Sequence, residues 1–343
     1  MRVVILTVMI GLVLMSTTAA AEAPLDLAKP GPYALKTIEF PDLRDSARNN
    51  RHVPIKVHFP ENKGTWPVVV VSHGAGGHWD ANYAQARHLA SYGYVVLCLE
   101  HLGSNTDRLK KGFRFMKNLR EMTRDTDELF NRPKDVGFAI DCAESWNRDH
   151  SDLRGRFDLD HIGVLGHSYG AYTVLVVCGV RPALDWLNPP VPPGKGIGPD
   201  LSDTRVDAGV ALSPQGPGEP YFHNESYGYL KRPVLGISGT RDQQQGAKPE
   251  NRLKYFEYIP PGGQILIWLN NADHMAFSDS TGAGHIMLPS KSRDDAQPLV
   301  RAATLLFFNL HLKNDQAADA ALSKESLKPL LRGVVDGLEV FRK

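Results

Sequence analysis

Between residues 162 and 177 the chain reads Ile-Gly-Val-Leu, then Gly166-His167-Ser168-Tyr169-Gly170, then an apolar run to Val177. A short β-like run, a turn flanked by two glycines and a helix-like run admit one compact solution, a sharp strand-to-helix turn. The glycines let strand and helix pack closely on either side of it. The serine then projects from the C-terminal end of a buried strand. It faces the N-terminus of the following helix, where developing negative charge is favoured. The pattern predicts a nucleophilic Ser168. His167 points away from its neighbour in so tight a turn and reads as a packing residue.

The rest of the chain supplies matching elements. Val53, Ile55, Val57 and Phe59 alternate with Pro54, Lys56 and His58, the pattern of a half-exposed strand; Thr37 to Phe40 precedes it. Val68 to Val71, Tyr94 to Leu99, Ile162 to Leu165, Val206 to Leu212, Val234 to Ser238 and Ile265 to Leu269 read as buried strands. Helices are expected from Asp80, as cap, to Tyr92 with Gly93 as its stop, around Val136, Ile140 and Ala143 with Pro133 in a first turn, over Tyr169 to Val177, and over Leu299 to Leu312. Arg181 to Pro199 is rich in Pro and Gly and reads as a long loop. Strands alternating with helices predict an α/β architecture: a mostly parallel central sheet of about eight strands with helices on both faces. At 343 residues and 42% hydrophobic, the chain suffices for a large core, and residues 22–343 read as one domain without internal repeats.

A serine hydroxyl needs a base to take its proton and a carboxylate to hold that base. After an elbow of this type the acid and then the histidine follow in chain order. Asp242, in Ser238-Gly239-Thr240-Arg241-Asp242, and His274, in Ala272-Asp273-His274-Met275, each follow a predicted strand. That is the end where open α/β sheets gather their chemistry. Asp273 adjoins the histidine too closely to orient it, Asp207 opens its strand, and the rival base His285 follows a loop. Ser72-His73-Gly74-Ala75-Gly76-Gly77 comes directly after another strand and offers small residues where an oxyanion needs backbone donors. The expected pair is the N–H of Ala75 and the N–H of Tyr169. A phosphate cradle is disfavoured because no Lys-Ser/Thr follows the glycines.

The N-terminus carries Arg2, an apolar run from Val3 to Met15 and small residues from Ser16 to Ala21. This predicts a signal peptide over residues 1–21, cut after Ala21 or Ala23, and a periplasmic or secreted protein without a stable membrane anchor. An uncleaved N-terminal anchor is the alternative. A net charge of +1 gives no overall electrostatic case for nucleic acid or an acidic membrane surface. Cys98, Cys142 and Cys178 lie among apolar neighbours and read as buried free thiols, with one disulfide as the alternative. No CxxC or His/Cys cluster suggests a metal.

Together, Ser72–Gly77, Gly166–Gly170, Gly239–Asp242 and Ala272–His274 resemble the predicted dienelactone hydrolases and the related bacterial platelet-activating-factor acetylhydrolase-like esterases. Arg132-Pro133-Lys134-Asp135-Val136 and Leu212-Ser213-Pro214-Gln215-Gly216 are further landmarks, and the likeness runs from Leu35 to Leu312. It implies an α/β-hydrolase fold, a serine nucleophile, no metal or cofactor, and small-molecule esters with short or modest acyl groups. True dienelactone openers carry cysteine where this chain has Ser168, which argues against that substrate. The same triad would also serve an acyltransferase, amidase or thioesterase, and a non-catalytic binding protein on the same fold is the rival of another class. Leu102 to Phe130, with seven basic residues between Arg108 and Arg124, reads either as a cap over the site or as a solvated surface helix.

Overall fold

The computed structural model describes residues 24–192, 194–244, 247–279 and 289–343. The proposed leader Met1–Ala21 and the rival base His285 lie outside these residues. Nine strands form the main sheet: β1 (Leu35–Phe40), β2 (Ile55–Pro60), β3 (Trp66–Ser72), β4 (Val95–Leu99), β5 (Phe157–His167), β6 (Ala208–Leu212), β7 (Val234–Arg241), β8 (Ile265–Asp273) and β9 (Leu338–Arg342). Their spatial order is β1-β2-β4-β3-β5-β6-β7-β8-β9. The strands from β4 across to β8 run parallel, while β1, β2 and β9 pair antiparallel at the two edges.

The β-branched run of β3 explains how the sheet is buried twice. Val68 and Val70 pack into one apolar layer, and Val69 and Val71 into the other. The first layer is covered by α4 (Thr126–Asp149) and α5 (Tyr169–Val177), the second by α1 (Tyr83–Ser91) and α7 (Arg293–Leu312). Two shorter helices, α2 (Thr106–Lys110) and α3 (Phe115–Met122), lie between β4 and α4, and α6 (Pro249–Tyr258) lies between β7 and β8. Each fully buried aliphatic side chain contributes roughly 1.5–3 kcal/mol, so a sheet apolar on both faces is the main source of stability.

Three local expectations need correction. The alternation in β2 is real, but no face of the strand is exposed, and every one of its residues is buried. On its polar side the Lys56 ammonium sits 2.8 Å from Asp80 and 3.0 Å from Glu39, and His58 shares a 2.8 Å hydrogen bond with the Thr37 hydroxyl. Asp80 is therefore engaged with Lys56 and caps no helix. The α1 amides of Ala84 and Gln85 are instead taken by the carboxylate of Asp279, from the far end of the chain. Pro133 lies inside α4 rather than in its first turn. It removes the N–H that would serve the Leu129 carbonyl, and the Tyr172 hydroxyl donates to that carbonyl at 3.0 Å instead. All three cysteines are free thiols, with Cys142 only half-buried.

Candidate active site

Ser168 directly follows β5 and immediately precedes α5. Its φ of 56° and ψ of −115° are a strained conformation for a residue with a side chain. The surroundings impose it. A Cβ on Gly166 would collide with the Gly170 backbone, and one on Gly170 with the Ser72 carbonyl, so only glycines let strand, elbow and helix approach this closely. The Ser168 amide donates to the Leu212 carbonyl at 2.9 Å, which fixes the elbow against β6.

The two other expected residues converge on this hydroxyl. His274 follows β8, and its Nε2 lies 2.9 Å from Ser168 Oγ. Its Nδ1 lies 2.7 Å from Oδ1 of Asp242, which follows β7. Asp242 is fully buried and His274 nearly so. The rivals are engaged elsewhere. Asp273 accepts from the Met275 amide and Ser290, and Asp207 accepts from the Ile162 amide at the opposite end of the sheet. His167 forms a 2.9 Å hydrogen bond with the His274 carbonyl, so it steadies His274 from behind.

A family model for the α/β-hydrolase fold matches residues 67–184, the stretch that carries β3, β4, β5 and the elbow. A platelet-activating factor acetylhydrolase from Cavia porcellus is 24% identical over 301 residues, covering 78% of this chain and 62% of its own length. One from Canis lupus familiaris is 24% identical over 283 residues, covering 72% and 57%. The chain thus spans about three fifths of the curated relatives it matches. With the nine-stranded, mostly parallel sheet, these matches give the chain an α/β-hydrolase fold.

Within this α/β-hydrolase fold Asp242 is more elaborately held than its position implied. Asp242 Oδ2 accepts from Ser213 Oγ at 2.5 Å and from Ser238 Oγ at 2.7 Å, and Arg252 Nε lies 2.9 Å from Oδ1. Burial alone would raise the carboxyl, but the Arg252 cation and His274 outweigh it and hold Asp242 well below the usual carboxylate range. Arg252 also donates to the carbonyls of Ser213 and Pro214, tying the loop after β6 to the acid. The sequence gives none of these three partners a role, although Ser213 lies in the Leu212–Gly216 landmark. Ser238 lies in the same motif as Asp242 and was within reach. Ser213, with φ of 62°, and Arg252, on α6, come to the acid only through the tertiary fold.

On the other side of Ser168, Ala75 and Gly74 line the same cavity as the hydroxyl. Gly76 N and Gly77 N are committed to the carbonyls of Ser104 and Gly74, whereas Ala75 N finds no acceptor among the described residues. Tyr169 N, the first amide of α5, is likewise free of an intrahelical partner. Arg132 joins these two donor segments from below. Fully buried, it donates to the His73 carbonyl, to Ser72 Oγ at 3.0 Å, to Ser104 Oγ at 2.7 Å and to Thr173 Oγ1 at 3.1 Å, with its guanidinium 4.3 Å above the Tyr169 ring. Ser72 also meets His101 Nε2 at 2.9 Å, and Asp135 takes the other His101 nitrogen at 2.8 Å. The Arg132–Asp135 stretch is thus the foundation of the turn that carries Ala75.

The cavity above Ser168 has a volume of about 400 Å³. Leu109, Leu119, Pro217, Tyr221 and Met275 give it apolar walls, and Gln215 stands beside the elbow, donating to the Ser168 carbonyl at 2.6 Å. Leu109 and Leu119 belong to α2 and α3, so the segment after Leu102 does contribute to the walls of the site. Among the described residues no group of three His, Cys, Asp or Glu side chains is arranged to hold a metal ion.

Proposed function

We propose that this chain is a serine carboxylic-ester hydrolase that cleaves esters of small or medium acyl groups through an acyl-enzyme. The observation that carries the reading is the continuous hydrogen-bonded line from Ser168 Oγ through both His274 nitrogens to a buried, ionised Asp242. Ser168 Oγ attacks the ester carbonyl carbon while its proton passes to His274 Nε2. The carbonyl oxygen, now negative, accepts from Ala75 N and Tyr169 N, and the Asp242 carboxylate stabilises the imidazolium. Collapse breaks the bond to the alcohol, which leaves with the proton from His274. Water repeats the sequence on the acyl-enzyme, releasing the acid and restoring Ser168. The similarity to platelet-activating factor acetylhydrolases supports ester chemistry, and a 400 Å³ cavity with apolar walls suits a modest acyl chain. We further propose that residues 1–21 are a cleaved export signal and that the remainder is one catalytic domain acting in the periplasm or medium.

The test is hydrolysis of nitrophenyl esters of rising acyl length by wild type and Ser168→Ala. The variant is expected to lose at least about a thousandfold in kcat, to fail to react with a fluorophosphonate, and to keep its circular-dichroism spectrum. A variant retaining a tenth of the wild-type rate would overturn the assignment. Parallel assays with thioester and amide analogues, and with an added alcohol acceptor, separate hydrolysis of esters from the related acyl transfers.

A further inference from the structure

The outer face of the segment over the cavity is built against the habits of a water-facing surface. Phe113, Phe115 and Met116 are 89%, 44% and 72% exposed, and they crowd the turn between α2 and α3. Phe113 is also held at a φ of 55°, next to Gly112 at 65°. A bulky aromatic side chain in the left-handed region is already unfavourable, and here it is offered to water as well. Nothing among the described residues repays either cost, which points to a partner.

Charge identifies the kind of partner. From residue 107 to residue 124 the chain holds seven basic residues against Asp107 and Glu121, in a protein whose net charge is +1. Arg108 and Arg124 are paired with Asp125 and Glu219, and Lys117 with Glu121. Lys110, Lys111, Arg114 and Arg120, which flank the apolar residues along the chain, have no carboxylate partner among the described residues. Three apolar side chains flanked by long cationic ones match the two layers of an anionic bilayer, with acyl chains for Phe113, Phe115 and Met116 and lipid phosphates for the cations. A second copy of this chain is a poor fit, because two such basic tips repel. Three side chains on a turn also fall far short of the roughly 800 Å² per partner of a stable protein interface.

We infer that the α2–α3 turn is a peripheral docking surface for an anionic lipid membrane. The inner face of the same segment carries Leu109 and Leu119 into the cavity wall, and the Thr106 hydroxyl donates to the Gly76 carbonyl at 2.9 Å. Docking by the tip therefore brings the mouth of the cavity to the lipid surface. If the ester-hydrolase reading holds, acylated substrates reach Ser168 from the lipid phase.

The test is flotation of the full-length mature protein with unilamellar vesicles, either equal parts phosphatidylglycerol and phosphatidylcholine or phosphatidylcholine alone. Binding to the anionic vesicles is expected, at least about tenfold weaker on phosphatidylcholine, and weakened by salt. A Phe113→Ser/Phe115→Ser/Met116→Ser variant, and separately a Lys110→Ser/Lys111→Ser/Arg114→Ser/Arg120→Ser variant, should each lose at least about tenfold. The apolar variant should hydrolyse a water-soluble nitrophenyl ester at the wild-type rate, which also reports its folding. In a Phe113→Trp variant, tryptophan emission should move to shorter wavelength with anionic vesicles only. Three results overturn the proposal: absence of flotation, flotation unchanged by the apolar variant, or equally strong capture by soluble polyglutamate that ignores the apolar residues. A lipid-free doubling of mass that the apolar variant abolishes would assign the tip to self-association instead and equally overturn it. Because flotation reads binding alone, its failure leaves the role of Ser168 untouched, and inactivity toward esters leaves the docking result standing.

Discussion

The Asp242 carboxylate accepts from three donors, His274, Ser213 and Ser238, and pairs with the Arg252 cation, without any contact with water. An amide in its place would turn an NH2 toward groups that are themselves donors and could not balance an imidazolium. Asp242→Asn is therefore expected to cut kcat by about a thousandfold or more, whereas Asp273→Asn, next to the base but bonded to Met275 and Ser290, should stay within about threefold. Comparing kcat for the two variants checks the choice of acid; a severe Asp273→Asn and a mild Asp242→Asn would reverse it. Ser168, Asp242 and His274 could be read from the chain because each stands directly after a run that had to be a strand, so position alone put them at one edge. Arg252 stands on a helix whose pattern drew no notice, and only the packing of α6 under the loop after β6 brings it to the acid.

At the scale of elements, runs that are apolar throughout were the readable ones. The helix Tyr169–Val177 and the buried strands fall where expected, with ends shifted by a few residues, because a run buried on both faces has no other place in a sheet. Elements defined by distant partners were misread or passed over: β2 is covered by a lysine–aspartate pair, α1 is capped by Asp279, and β9 is a short edge strand with little periodicity. Pro133 was misplaced for the same reason, since its tolerance inside α4 depends on Tyr172 of α5. Tyr172→Phe, which strands the Leu129 carbonyl, should cost about 1–3 kcal/mol. Pro133→Ala restores an internal donor, so the same Tyr172→Phe change in that background should cost markedly less. A double-mutant cycle in urea measures the difference, and equal costs in the two backgrounds would dismiss the link.

For the whole molecule, buried histidines set the response to acid. Burial, reinforced by nearby cations, lowers His58, His101 and His167 to about 3 and His88 to about 4, and His73 moves the same way. Unfolded, each titrates near 6.5. Above that value both states are neutral and their contribution is intact. As the pH falls below it, the unfolded chain takes up protons that the fold refuses, and stability drops by about 1.4 kcal/mol per pH unit for each histidine. Asp279 opposes this trend: burial raises it to about 6, so it disfavours the fold increasingly as pH rises from 3.8 to that value. Five histidines against one carboxyl leave a net loss, and the urea midpoint is expected to fall steeply between pH 6.5 and 5. A midpoint flat over that range would mean that these histidines are solvated.

The separation of Ser168 and His274 by 106 residues also acts as a clock during synthesis. A ribosome adding about 5–20 residues per second needs roughly 5–20 s to pass from one to the other. For that interval the emerging chain carries an ordinary alcohol with no partner to deprotonate it. On the proposed mechanism the hydroxyl is armed only when β8 is laid against β7 and brings the imidazole into place, so a stalled or prematurely released fragment ending before β8 is expected to be inert toward esters.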